Sequence, residues 1–125
     1  MDSERAQMAR ILVVDDEPDE RFLMRRLFER AGHEVTDASD GAEGLRAVRE
    51  SAPDLVVTDM MMPVMDGAAF IRELRADSCT ASILVLVSSG DSHLAVGADA
   101  IVPKSRSFDQ LREAVEVLLK GRNRL

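Results

Sequence analysis

Acidic side chains gather at two places that follow short apolar runs, Asp15-Asp16-Glu17 and Asp59. Asp59 lies within Thr58-Asp59-Met60-Met61-Met62-Pro63-Val64-Met65-Asp66-Gly67. Two later runs lead to Ser88-Ser89 and to Lys104. If the runs are neighbouring strands, Asp15, Asp16 and Asp59 converge. Like charges packed together repel and raise one another's pKa values unless something compensates. A divalent cation and one lysine are the natural compensation. Mg²⁺ suits such a site, being a hard ion that takes one or two carboxylates and keeps several waters. Add the Ser88 hydroxyl and the Lys104 ammonium, and the set becomes a receptor for a phosphoryl group. The metal and the lysine would neutralise its oxygens during in-line transfer, and a carboxylate can be the nucleophile.

Each residue alone has a plainer reading. A single Asp after a strand is more often a helix cap than a catalyst, and Asp40 and Asp66 are read as caps. Ser88 alone is a buried hydroxyl and Lys104 alone a surface charge. Met60, Met61, Met62 and Met65 read as packing, because thioethers prefer soft metals. His33 and His93 have no ligand spacing and are given no role. The functional reading rests on all five chemical positions falling at strand ends in this order.

The elements must put them there. Apolar runs at 11–14, 35–38, 55–58, 83–87 and 100–102 read as strands. Three lack polar alternation, as strands buried on both faces do. Helical patterns lie between. The first carries Leu23, Met24, Leu27, Phe28 and Ala31, with Pro18 at its start and Gly32 past its end. The second follows Asp40 with Ala42, Leu45 and Val48 and stops at Pro53. The third starts at Asp66 and carries Phe70, Ile71 and Leu74. The last starts at Ser107, with Gln110 completing a capping-box pattern. Its stripe is Phe108, Leu111, Val115 and Leu118, and Gly121 is expected to end it. Strand–helix alternation implies right-handed βαβ units and one parallel sheet with helices on both faces. In such sheets ligands bind outside the carboxyl ends of the strands. Only 11 residues, 89–99, join the fourth strand to the fifth. A crossover with its helix needs about 10–12, so the fourth helix must be very short or replaced by a loop.

Composition bounds the rest. The chain has 125 residues, one ordinary domain, read as residues 9–121 with tails 1–8 and 122–125. Sixteen Lys and Arg against 23 Asp and Glu give a formal charge of −7, which argues against nucleic acid or anionic membrane as a partner. The longest apolar run, 83–87, is far too short to span a bilayer. The first eight residues lack the apolar stretch of a secretion signal. The single Cys79 cannot form an internal disulfide, so a cytoplasmic setting is expected.

Together, Val14-Asp15-Asp16, Asp59 with Met62-Pro63 and Asp66-Gly67, Ser88, Gly97-Ala98-Asp99 and Lys104 resemble the receiver domain of bacterial two-component response regulators. The resemblance covers almost the whole chain. It implies a CheY-like, flavodoxin-like (βα)5 α/β fold with strand order 2-1-3-4-5. It implies that Asp59 accepts a phosphoryl group from a sensor histidine kinase or phosphotransfer protein. Asp16, Asp59 and the backbone carbonyl of Met61 would bind Mg²⁺, and Asp15 would hold a metal-bound water. Ser88 and Lys104 would grip the phosphoryl oxygens, and Met61 and Gly90 stand where the family tunes hydrolysis.

Three departures from the family pattern lie close together. The aromatic switch position, Tyr or Phe in the family, is Ile101. The fourth helix is truncated. Proline precedes Lys104, as Pro103, instead of following it. A cis Lys104–Ser105 bond would cost about 2.5–4 kcal/mol, so the lysine loop is expected to be built differently. Pro103 is tolerable if the fifth strand is an edge. The expectation is an intact phosphoacceptor pocket with a non-standard output switch, signalling to a downstream protein target. The output face is then expected elsewhere, for example on the first helix. The alternative is a phosphorylation-independent pseudo-receiver acting as an interaction scaffold. An aspartyl-phosphate hydrolase of the haloacid dehalogenase type needs a second Asp where Met61 stands. A flavin carrier would meet repulsion from Asp15-Asp16-Glu17-Pro18-Asp19 at its phosphate loop. The chain is therefore not read as an enzyme.

Overall fold

The computed structural model describes residues 8–90, 96–104 and 107–123. Five strands form one parallel sheet in the order β2-β1-β3-β4-β5. They are β1 (Arg10–Val14), β2 (Glu34–Ala38), β3 (Leu55–Thr58), β4 (Leu84–Ser89) and β5 (Ala100–Pro103). Four helices accompany them: α1 (Pro18–Arg30), α2 (Gly41–Ser51), α3 (Gly67–Ala76) and α4 (Phe108–Asn123). The sheet order is the one the resemblance implied.

Register follows from burial. Ile11 pairs with Val35 and Leu55, and Leu55 with Leu84. Successive side chains point to opposite faces, so β1 sends Ile11 and Val13 to one layer and Leu12 and Val14 to the other. The first layer closes against Met24 and Phe28 of α1 and Leu111, Val115 and Leu119 of α4. The second closes against Val48 of α2 and Phe70, Ile71 and Leu74 of α3. Both faces being covered explains why β1, β3 and β4 read as unbroken apolar runs.

The ends of the helices show why they start where they do. The Asp40 and Asp66 side chains accept the N–H groups of Glu43 (2.8 Å) and Ala69 (2.9 Å), as N-caps. Pro18 opens α1, and Gly32, at φ +97°, turns the chain out of it.

Several local expectations are corrected. Leu23 and Ala31 are exposed, because α1 buries Met24 and Phe28 along a narrower seam. On α4, Leu119 is buried while Leu118 is only partly so. Gly121 does not end α4. It does not take the left-handed backbone that stops a helix, and the next turn is held by Arg122, whose guanidinium meets Asp54 at 3.0 Å. Ile83 precedes β4, which runs on to Ser89. Ser107 receives the N–H groups of Gln110 and Leu111 on its backbone carbonyl.

Between β4 and β5, residues 91–95, where a short fourth helix was expected, lie outside the described residues. The described part of that connection is a turn, with Gly97 at φ +92°. It is tied down by Arg75 of α3. Its guanidinium donates to the Gly97 carbonyl (2.8 and 3.0 Å), to Ala81 and Ile83 carbonyls (2.7 Å each) and to Asp99 (3.0 Å). Asp99 also accepts the Val85 N–H at 2.8 Å. β5 is an edge, so Pro103 is accommodated there.

Candidate functional site

The chemical residues meet at the carboxyl ends of β1, β3, β4 and β5. Asp15 directly follows β1 and is fully buried. Its N–H donates to Ala38 of β2 (3.1 Å), and its Oδ1 accepts the Glu17 N–H (2.9 Å). Asp59 follows β3, 8% exposed, with its N–H on the Val14 carbonyl (3.0 Å). Asp59 Oδ1 accepts the Met60 N–H at 2.7 Å. Its Oδ2 accepts Lys104 Nζ at 2.9 Å. Asp16 is exposed at the mouth. Carboxylate oxygens of Asp15, Asp16 and Asp59 lie within 4.8 Å of one another.

Lys104 Nζ also stands 3.3 Å from Asp15 Oδ2. That is an ion-pair contact out of hydrogen-bond alignment, so Asp15 Oδ2 is buried with no hydrogen-bond partner. Burial pushes the Asp15 carboxyl above its usual range and the Asp59 charge adds to this, against the Glu17 N–H and Lys104. For Lys104, burial pulls its pKa down, but the Asp59 hydrogen bond and the Asp15 charge outweigh it and hold the ammonium above its usual value.

Three carboxylates share one ammonium, and one buried carboxylate oxygen, Asp15 Oδ2, meets it only as an ion pair without a hydrogen bond. Unpartnered buried polar atoms are rare. A divalent cation at the mouth answers both deficits, and oxygen-only donors suit Mg²⁺. Asp15, Asp16 and Asp59 therefore fit the metal that the sequence implied.

Ser88 is buried at the end of β4, 7% exposed, in register with Val102. Ser88 and Lys104 together line a cavity of about 20 Å³ that Phe108 and Leu111 also wall. Met61, whose backbone carbonyl the resemblance assigned to the metal, is 74% exposed. Ile101 is 44% exposed on β5. Ser105, part of the expected rebuilt lysine loop, lies outside the described residues.

Two residues gain a positioning role from the structure, and Arg21 is the one absent from the sequence reading. Arg21 Nη1 donates to the Asp15 carbonyl (2.7 Å) and pins the β1–α1 loop. Gly67 lets α3 start against the site, since a Cβ there would run into the Asp59 carbonyl. The Asp66-Gly67 pair signals the second. Nothing signals the first, because its acceptor is a backbone atom.

Comparison with known proteins decides the family. The model of the response regulator receiver domain matches residues 11–116. This chain is a member of the response regulator receiver family. The receiver is 39% identical over 80 residues to Protein PilH of Pseudomonas aeruginosa, covering 64% of this chain and 66% of that one. It is 39% identical over 116 residues to Response regulator MprA of a Mycobacterium species, 89% of this chain and 50% of that one. The receiver thus spans between half and two-thirds of the length of these relatives. Among solved structures, the receiver domain of a signal transduction histidine kinase from Syntrophus aciditrophicus superposes with a TM-score of 0.85 at 28% identity, covering 94% of both chains. The response regulator TrrA of Thermotoga maritima, in complex with Mg²⁺-BeF, gives 0.81 at 34%, covering 89% of this chain and 99% of that one. No helix among the described residues is long and apolar enough to cross a membrane.

Proposed function

We propose that this receiver is an active phosphoacceptor. Asp59 takes a phosphoryl group from the phosphohistidine of a sensor histidine kinase or phosphotransfer protein. The bond from phosphorus to the donor's imidazole nitrogen breaks as the bond to an Asp59 oxygen forms. Asp59 Oδ1 is held by the Met60 N–H, which fixes the carboxylate plane. Lys104, now on Asp59 Oδ2, moves its donors to a phosphoryl oxygen. The Ser88 hydroxyl takes another. Asp16, Asp59 and the Met61 backbone carbonyl would hold Mg²⁺, and Asp15 would hold a water bound to it. Bound there, the ion supplies charge neutralisation for the transferring group. The single observation that carries this reading is the cluster itself: three carboxylates within 4.8 Å, one lysine bridging two of them, and one buried oxygen lacking a hydrogen bond. That the similar response regulator TrrA forms a complex with Mg²⁺-BeF supports this reading.

Signal then passes to a protein target by a switch other than an aromatic ring on β5, since Ile101 stands there. The exposure of Ile101 is the observation that favours the second reading, a scaffold that works without phosphorylation. Incubation with a small-molecule phosphodonor and Mg²⁺, followed by intact-mass spectrometry, separates the two. A gain of one phosphoryl group, absent in Asp59→Asn and absent with chelator, is expected. Folded wild-type chain that never gains mass leaves only the scaffold reading.

A further inference from the structure

The helices α1 and α4 leave a cleft of about 560 Å³ between them, within the size range of small-molecule sites. It lies toward the amino ends of the strands. Its walls come from the last turn of α1, including Leu27 and Ala31, and the residue preceding β2, His33. The acidic pocket is at the opposite ends of the same strands, so the cleft is no part of it.

His33 is part of the lining. It is 8% exposed, and its Nδ1 accepts the Ala9 N–H at 3.0 Å. A ring nitrogen that accepts is unprotonated, so this bond assigns the proton of the neutral ring to Nε2. Burial keeps the ring below its usual pKa, against the opposing charge of Glu116, so the neutral form prevails at pH 7. No group among the described residues receives the Nε2 proton. Nor is Nε2 one of the sealed polar atoms without a partner. It is therefore a solvent-accessible donor on a residue that lines the cleft.

The rim is cationic. Arg30 of α1 and Arg112 and Lys120 of α4 border the same space, against one carboxylate, Glu116. Arg112 is ion-paired with Glu116 at 3.6 Å and with Asp109 at 3.7 Å, both beyond hydrogen-bond distance, and its side chain stays 42% exposed. Arg30 and Lys120 have no ion pair among the described residues. Three cations border the cleft against Glu116, with Asp109 beside Arg112, so cations still outnumber carboxylates there in a chain of net charge −7. Arginine forks match the planar oxygens of phosphate and carboxylate groups.

We propose that this cleft binds a compact small molecule carrying at least two anionic oxygen groups. Arg112, Arg30, Lys120 and the Nε2–H of His33 hold those groups, and the ligand's apolar part lies on Leu27 and Ala31. Occupancy ties α4 to α1. The site works independently of phosphorylation at Asp59.

The test titrates the full chain, with chelator present, with inorganic pyrophosphate, ADP and citrate, following the imidazole resonances of His33 by NMR. A saturable shift of His33 with a rise in its pKa is expected for at least one probe. Pyrophosphate or ADP without citrate assigns phosphate ligands, and citrate alone assigns carboxylate ligands. The Arg112→Gln/Lys120→Gln double variant alters only the rim, and should weaken binding by at least roughly tenfold, given the strength of charged hydrogen bonds. Asp59→Asn should bind as wild type, which separates this cleft from the acidic pocket. No saturable change at His33 at millimolar concentrations of all three probes overturns the proposal. So does unchanged affinity in the double variant.

Discussion

At the scale of single residues, the acidic pocket places function in opposition to stability. The folded Asp15 pKa lies above the unfolded value of 3.8. The folded state therefore holds that proton more tightly, and ionised Asp15 costs stability at any pH above both values. That cost fades as pH falls through the raised folded pKa. Asp15→Asn keeps an oxygen for the Glu17 N–H and removes the buried charge. It should stabilise the chain at pH 7 by on the order of 1 kcal/mol, a gain that shrinks on acidification, read from urea melts across pH. Lys104 has the other sign. Its raised folded pKa contributes stability that is whole below about 10.5 and disappears as pH climbs through the folded value. In Lys104→Gln that alkaline loss should be missing from the same melts. Val64 is a second strained point. It holds φ +68° with a β-branched side chain, while the Met65 N–H bonds back to the Pro63 carbonyl at 2.7 Å. Val64 is 84% exposed, so Val64→Gly loses little packing and should gain about 1 kcal/mol in a thermal melt. A loss of stability would show that the turn needs the valine. The acids and Lys104 were legible in the sequence because charge is conspicuous at the end of an apolar run. The Met60 N–H and the Arg21 contact were not, because each bond has a backbone atom at one end.

At the scale of elements, the strands were legible where both faces are covered, since burial then writes an unbroken apolar word. Helix seams were less so. Leu23 fits the α1 pattern as well as Met24 does, and only the angle at which α1 meets the sheet decides between them. The end of α4 was misread for a related reason. Gly121 stops a helix only when it turns left-handed, and the Arg122–Asp54 contact, from residues 68 apart in the chain, keeps the last turn going. The described part of the β4–β5 connection is fixed by Arg75 in place of the packed face of a helix. Gly97 must stay bare there, since a Cβ would meet Ile71 at 2.9 Å. Arg75→Gln leaves the Gly97, Ala81 and Ile83 carbonyls without their charged donor. It should cost about 2–3 kcal/mol and speed amide exchange in β5 ahead of the other strands. Lysine should not restore protection, because one ammonium cannot span carbonyls on both sides of the fork. Equal exchange in β5 of wild type and Arg75→Gln would show that the clamp holds nothing.

At the scale of the whole molecule, the doubly wound sheet brings residues 15, 59, 88 and 104 together by setting β1 and β3 side by side, with β4 and β5 following. Their meeting was legible only through strand order, which no local pattern encodes. Because the proposed ligands Asp15, Asp16 and Asp59 come together only in the folded chain, Mg²⁺ should stabilise by linkage. At a hundred times its dissociation constant the gain is about 2.7 kcal/mol, visible as a rise in Tm that Asp59→Asn and Asp16→Asn should each diminish. A melting temperature indifferent to Mg²⁺ would remove the ion from this account. The proline that ends β5 has a consequence beyond the pocket. The Lys104 N–H is the one that turns inward to the Ser89 carbonyl, so position 103 faces away from the sheet. The donor that Pro103 lacks is thus one that a foreign chain would have used to dock alongside. The molecule's rim is blunted against sideways growth into fibrils at the strand that carries its lysine.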